Sequence, residues 1–338
     1  MTDRIFNTVF VTGGAGYCGS LLIPQLLSCG YRVTVYDTLY FGDHFLPKSD
    51  PNLRIIQGDI RDTTKLSESV KGHEAFVSLA CISNDASFEL DENLSTSINM
   101  DAFEPMVKAA KDAGVKRFVY ASSSSVYGVS DKPDVTEDHP LVPLTLYNKY
   151  KGLCEPILKK YADDSFTGVI FRPATVCGYA PRLRLDLSVN ILTNHAVTNN
   201  KITVFGGSQL RPNLHVQDYC NVVELFLKAP KEKIQKETFN VGYQNMSIMD
   251  IAQLVKKVVM EEFPEKSEIE IVTTPTDDIR SYHINSDKIF RMLGFRPTHS
   301  IEDAVRSLCK SFREGKIPNS MTDDWYYNIR TMKKLSIQ

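Results

Sequence analysis

Tyr147 and Lys151 stand one helical turn apart in the run Tyr147-Asn148-Lys149-Tyr150-Lys151, so a helix opening there presents both on one face. A phenol has a reference pKa of about 10 and is a poor base at neutral pH. A neighbouring ammonium favours the phenolate and lowers that value. The pair is therefore a candidate proton acceptor that carries its own electrostatic partner. The spacing alone is weak, because Tyr-x-x-x-Lys arises by accident on many helix surfaces. A second source of hydroxyls lies upstream, in Ala121-Ser122-Ser123-Ser124-Ser125-Val126-Tyr127-Gly128. It follows a strand-like run, and open α/β sheets bind ligands at the carboxyl ends of their strands. A serine there can hydrogen-bond a reacting oxygen and orient it for proton transfer. At least two of the four serines are expected only to satisfy local backbone.

A third constellation opens the chain. Thr12-Gly13-Gly14-Ala15-Gly16-Tyr17-Cys18-Gly19 places glycines at 13, 16 and 19. A strand, such a loop and then a helix let backbone approach a pyrophosphate at the helix N-terminus. The third glycine allows the helix to pack closely on the sheet. A bare glycine triplet is equally well a tight turn; its place between first strand and first helix favours a dinucleotide. Asp37 ends the second strand about 20 residues on, where a carboxylate binds ribose hydroxyls. It repels a 2′-phosphate, which favours NAD over NADP. Asp59, in Gly58-Asp59-Ile60, is placed to reach the adenine amino group. With a dinucleotide bound, the positive nicotinamide joins Lys151 in favouring the phenolate, and Lys151 has donors for the nicotinamide ribose.

The elements that must position these groups alternate through the first half. Strand-like runs at Val9 to Val11, Arg32 to Tyr36, Leu53 to Ile56, Ala75 to Leu79, Arg117 to Tyr120 and Val169 to Phe171 alternate with helix-like stretches. The helices are expected at Cys18 to Cys29, Leu94 to Ala113 and Leu146 to Tyr161. This rhythm predicts an α/β fold, a doubly wound parallel Rossmann sheet with a smaller C-terminal substrate-binding lobe. Residues 1–172 form the dinucleotide domain, with later strands returning to it; 173–315 form mainly the second lobe. Prolines at 173, 181 and 212 and the pair Gly206-Gly207 mark loops there. Further helices are expected at Asp218 to Leu227, Ile248 to Glu261, Ser286 to Leu293 and Ile301 to Phe312. Residues 316–338 are expected as a tail, an extended arm.

Composition narrows the function classes. The 338 residues are 42% hydrophobic and 24% charged, with a formal charge of −2, an ordinary globular balance without the basic field that drives nucleic-acid binding. Any anion site must be built from a few placed groups. The seven cysteines are scattered with no C-x-x-C pair, and neither a signal-like start nor a membrane-length apolar run is seen; the expectation is a cytoplasmic protein without membrane association. The seven histidines form no ligand spacing, so no metal is expected, and His215 reads as structural.

Taken together, these motifs resemble the extended short-chain dehydrogenase/reductases, specifically the NAD-dependent epimerase/dehydratase family of nucleotide-sugar enzymes. The matching pieces are TGGAGYCG, Asp37, GDI at 58–60, SSSSVYG at 122–128, TEDHP at 136–140, YNKYK at 147–151, RPATVCG at 172–178, RPNLHVQD at 211–218 and GFRP at 294–297. They run in family order over roughly residues 8 to 310. The resemblance implies Ser123 as the catalytic hydroxyl, Tyr147 as the base and Lys151 as its partner. It implies NAD held by Gly13, Gly16, Tyr17, Cys18, Asp37, Asp59, Ile60, Leu79, Ala80, Tyr147 and Lys151. A nucleotide-diphosphate sugar would meet Ser123, Ser124, Asn190, Arg211 and Arg280, since two phosphates call for arginine forks. Arg182 and Arg184 are weaker candidates, with a solvent-facing position open for Arg184. Two helices per subunit would pair in a homodimer.

The departures are informative. Family 4,6-dehydratases carry Asp-Glu directly after the catalytic hydroxyl residue, and the family's nucleotide-sugar decarboxylases tend to keep a glutamate there; Ser124 and Ser125 occupy those positions here. Neutral hydroxyls do not supply that carboxyl chemistry. Epimerisation at C4, which needs no added acid–base pair, is therefore the expected reaction. A nucleotide-sugar dehydrogenase or dehydratase is the alternative, and a non-catalytic NAD-binding regulatory protein is the alternative of another class. Ser78-Leu79-Ala80-Cys81 replaces the family's His-Leu-Ala-Ala. Cys177 stands where a tyrosine is common, which suggests an altered sugar pocket.

Overall fold

The computed structural model describes residues 4–83, 90–130, 132, 134–266, 268–276, 281 and 283–335. The first half alternates as its sequence demands: β1 (Thr8–Thr12), α1 (Tyr17–Ser28), β2 (Arg32–Asp37), β3 (Leu53–Gln57), α2 (Thr63–Ser69), β4 (Ala75–Ser78), α3 (Glu92–Thr96), α4 (Phe103–Asp112), β5 (Arg117–Ala121), α5 (Leu146–Tyr161) and β6 (Thr167–Pro173). A later strand, β10 (Thr238–Val241), returns to pair with β6. The seven-stranded sheet runs β10-β6-β5-β4-β1-β2-β3, with every pairing parallel.

Both faces of this sheet are covered, so its strands are near-continuously apolar rather than alternating. Val9, Val11, Val33, Val35, Val77 and Val119 pack on one side with Leu22, Ile23 and Leu26 of α1. Phe10, Tyr36, Phe76, Phe118 and Tyr120 point to the other, under Leu66, Met106 and Leu158. Phe10 and Phe76 lie 5.2 Å apart and Phe76 stacks on Phe118 at 4.6 Å. From β1 the chain runs outward to β2 and β3, then returns to place β4 on β1's other side. The crevice beyond the carboxyl ends of β1 and β4 is therefore the switch point where such sheets take ligands.

The second lobe is built from β7 (Thr175–Cys177), α6 (Ser188–Asn199), β8 (Lys201–Phe205), β9 (Leu210–His215), β11 (Gln244–Ser247), α8 (Ile248–Glu262), β12 (Glu270–Thr274) and α10 (Ile301–Arg313). Between them, α7 (Val216–Lys228) packs back on α1, and α9 (Asp287–Leu293) lies against β10. The strands form a β11-β9-β7 sheet and a β12-β8 pair.

Two expectations are corrected. The helix expected from Leu94 to Ala113 is interrupted by a wide π turn at Ser97–Asp101. There Asn99 turns inward, and its amide pairs with both backbone groups of Ile82, at 2.9 and 2.8 Å. The tail is not an extended arm. A short 3₁₀ turn, Asp324–Tyr326, leads into α11 (Asn328–Leu335). Tyr326 and Tyr327 bury against Leu183, Leu185 and Leu308, and apolar burial of that kind fixes the segment to the body.

Candidate active site

The switch-point crevice opens into a cleft of about 510 Å³, within the range of small-molecule sites. The glycine loop forms one end. Gly13 has φ +74°, and a Cβ there would lie 2.5 Å from the backbone nitrogen of Ala80. The loop can thus run against the β4 exit only as glycine. Gly16 precedes α1 without a side-chain cap, and the first turn carries no acidic residue. Its orphan N–H groups and the positive end of the helix dipole are left for an anion.

Asp37 lines the same end. Its Oδ2 accepts from the Ala15 N–H and its Oδ1 from the Leu39 N–H, both at 2.9 Å. Burial pushes its carboxyl up, and those two N–H groups counter this only in part. Each oxygen keeps acceptor capacity for a ribose hydroxyl. Asp59 and Ile60 also line the cleft. The Asp59 carboxylate holds Arg61, with Nη2 at 2.7 Å; burial acts to raise it, but the guanidinium outweighs burial and holds it below the usual carboxylate range. Leu79 and Ala80, with Cys81, continue β4 into the wall, as do Tyr17 and Cys18. The Tyr17 hydroxyl donates to the Gly178 carbonyl at 2.5 Å and ties the loop to the second lobe. A cradle closed to any Cβ, an uncapped helix end and a strand-end carboxylate together fit an NAD-like dinucleotide.

Ser123, Tyr147 and Lys151 all line this cleft. Ser123 follows β5, and its hydroxyl lies 2.7 Å from that of Ser125 while accepting the Ser125 N–H. Ser124 is buried and lines the wall beside it. Thr145 caps α5, setting Tyr147 half-buried at the mouth of the helix and Lys151 a turn deeper. The Lys151 ammonium is 5% exposed and donates to the Ala121 carbonyl at 2.8 Å, so its charge is anchored at the end of β5.

Arg211 reaches the cleft from β9. Arg280 lies outside the described residues. Asn190 is a correction: it is fully buried and not part of the cleft lining. Its Oδ1 accepts from the Gly178 N–H at 2.9 Å, and its Nδ2 donates to the Arg184 carbonyl and the Tyr17 hydroxyl. It braces the wall instead of meeting a ligand. Arg184 is the reverse case. It does not face solvent but lines the cleft, pairing with Asp186 at 2.9 Å and Ser83 at 3.0 Å. Burial alone would lower its pKa; Asp186 and, less strongly, the Tyr147 oxygen reverse this and hold it above the ordinary value. Cys177 does not shape the pocket, for it sits in the second-lobe core with Sγ toward the Leu214 carbonyl. His215 caps α7 by accepting the Gln217 N–H at 3.0 Å.

Sequence reasoning missed Asp186, Phe41, Asn328 and Met332, which also line the cleft. The alternation Arg182-Leu183-Arg184-Leu185-Asp186 was a usable signal, since it sends three charges to one side. Asn328 had none; it is 142 positions from Asp186, whose carboxylate accepts its N–H at 3.1 Å.

A model of the NAD dependent epimerase/dehydratase family matches residues 9–242. A UDP-glucose 4-epimerase of Lactobacillus helveticus is 29% identical over 333 residues, covering 89% of this chain and 96% of that protein. A dTDP-D-glucose 4,6-dehydratase of Bos taurus is 29% identical over 330 residues, covering 92% and 90%. The fold matches a crystal structure of UDP-glucose 4-epimerase from Thermotoga maritima with TM-score 0.81 at 23% identity, over 91% of this chain and 99% of that one. With a family model spanning most of the chain and its motif residues gathered in one cleft, the protein belongs to the NAD-dependent epimerase/dehydratase family.

Proposed function

We propose that this NAD-dependent enzyme of the short-chain dehydrogenase type is a nucleotide-sugar epimerase acting at C4. One observation carries the choice of reaction. The carboxylates lining the described cleft are Asp37, Asp59 and Asp186, and each is engaged elsewhere, by backbone N–H groups, Arg61 and Arg184 respectively. Directly after Ser123 come Ser124 and Ser125, which supply no acid–base pair for loss of water. The likeness to UDP-glucose 4-epimerases supports the same reading.

In this reading Tyr147 accepts the proton of the sugar hydroxyl, and Ser123 hydrogen-bonds the same oxygen and holds it in line. Lys151 and Arg184 bring positive charge toward the phenol, which stabilises the ionised base. NAD held by the glycine loop and Asp37 would supply a reversible hydride acceptor, so that a keto sugar would be only transient. Arg211 grips the sugar nucleotide's diphosphate by a charge-assisted fork. We also infer a homodimer through α4 and α5, where Leu153 is 42% exposed, and a cytoplasmic location consistent with seven free thiols.

The test is a panel of nucleotide sugars incubated with purified enzyme, with product stereochemistry by NMR and NADH by absorbance. Epimerisation gives a C4 stereoisomer without lasting NADH. Accumulated NADH with a keto sugar, or loss of water, would replace the epimerase by a dehydrogenase or a dehydratase.

A further inference from the structure

Arg182 is the largest fully buried side chain among the described residues, 1% exposed, yet no described carboxylate forms an ion pair with it. Its Nη2 donates to Asn328 Oδ1 at 2.6 Å, and its guanidinium lies over the Phe41 ring at 3.8 Å. Its Nε is buried without an acceptor. Burying an ion with no counter-ion in contact is unfavourable, and so is leaving a buried donor unmatched. Burial lowers the pKa of this arginine to about 9. Asn328, Phe41 and the fields of Asp186 and Asp37 offset these penalties only in part, and an arriving anion would supply the rest.

The placement says which anion. The Arg182 backbone N–H donates to Ser20 Oγ at 3.1 Å, in the first turn of α1. The side chain lines the cleft at that end, where the helix terminus is uncapped. Asp37 and Asp186 both act on its charge. The C-terminal segment holds it there: Asn328 also donates to Ser83 Oγ at 3.3 Å, and Trp325 packs on His44 and Phe45 beyond β2.

We propose that Arg182, steadied by Asn328 of the C-terminal segment, is a diphosphate receptor that completes the dinucleotide site from the second lobe. The inference rests on the assignment of NAD to this cleft. A sugar nucleotide carries the same diphosphate chemistry; proximity to α1 and Asp37 selects the cofactor's. The C-terminal segment is then part of the cofactor site, and NAD binding locks it against the body.

The experiment is calorimetric titration of full-length protein with NAD and, separately, with UDP, neither of which requires turnover. Arg182→Met should weaken NAD by at least about tenfold, or about 1.4 kcal/mol. Arg182→Lys should recover part of that, since the charge returns without the fork. Asn328→Ala should weaken NAD by roughly threefold to tenfold by loosening the guanidinium, about 0.7–1.4 kcal/mol; UDP affinity should hold in all three. Unchanged NAD affinity in Asn328→Ala and in folded Arg182→Met overturns the proposal. So does a loss confined to UDP, which would give Arg182 to the substrate. Should Arg182→Met fail to fold, Asn328→Ala decides alone. Because only binding is read, a wrong reaction assignment leaves the result intact.

Discussion

At the scale of single residues, the proposed chemistry depends on one oxygen. Tyr147→Phe keeps the ring and the helix and removes only the hydroxyl. Turnover should fall by about 10²–10⁴-fold, the usual worth of a positioned general base, while NAD affinity by titration stays close to wild type. Wild-type turnover in that variant would remove Tyr147 from the mechanism. Gly13 offers the converse separation. Gly13→Ala must place a Cβ 2.5 Å from the Ala80 nitrogen at φ +74°, and the left-handed backbone alone costs roughly 1–2 kcal/mol. The β4 exit must shift, so the NAD content of purified protein should drop sharply; unchanged content would show that the loop does not need its close approach. Membership of the cleft was legible in the sequence where a motif fixes the position, as at Gly13, Asp37, Tyr147 and Lys151. It was not legible at Asn190, which lies behind the wall, or settled at Arg184, which lines the cleft, because polarity does not say whether a side chain faces a ligand or braces the wall behind it.

At the scale of elements, the sheet read clearly because its strands are apolar on both faces and bounded by turns. The helix from Leu146 to Tyr161 was legible to the residue, with Thr145 as its cap. Helix α6 was not seen at all, because Asn190, Thr193 and Asn194 are fully buried and no polar stripe marks an outer face. The second-lobe strands are short, and their pairing partners decide them, not their own sequence. Asn99 breaks a helix through a contact with Ile82 that no local pattern contains. Helix α7 carries a prediction of its own through its cap. His215 stacks on His299 at 4.8 Å, and burial first, then His299, lower its pKa from 6.5 to about 4 against the opposing pull of Asp218 and Asp303. Between those two values the unfolded chain takes up a proton that the folded chain refuses. Stability should therefore be complete above pH 6.5, fall as the pH drops toward 4, and fall no further on this account below it. The loss is at most about 3 kcal/mol. His215→Asn keeps a capping side chain and should flatten that part of the urea-melt pH profile; an identical profile in both proteins would show that His215 titrates normally.

At the scale of the molecule, the serine loop and the helix that carries Tyr147 are joined by a buried ion pair. Arg172 of β6 forks onto Glu155 of α5, with Nε to Oε1 at 2.9 Å and Nη2 to Oε2 at 2.7 Å. The same Oε1 accepts the Ser122 hydroxyl at 2.7 Å, next to Ser123. Arg172 also donates to the Tyr127 hydroxyl at 2.6 Å, and that hydroxyl donates to Asn240 of β10 at 2.7 Å. Two strands, the serine loop and α5 thus share one network, with Glu155 and Arg172 only 3% and 5% exposed. Removing one partner strands the other charge in the interior, which costs about 3–5 kcal/mol, whereas replacing both by apolar groups of similar size is often near neutral. Arg172→Met should therefore destabilise strongly in urea unfolding, and Glu155→Leu similarly. The double variant should lose less than either single one, giving a large coupling energy in the cycle. Because the double variant takes the Glu155 acceptor from the Ser122 hydroxyl and the Arg172 donor from Tyr127, it should regain stability without regaining full kcat. Small, additive losses in the two single variants would mean that the ion pair does not join these elements, and that Ser123 and Tyr147 hold their places by packing alone.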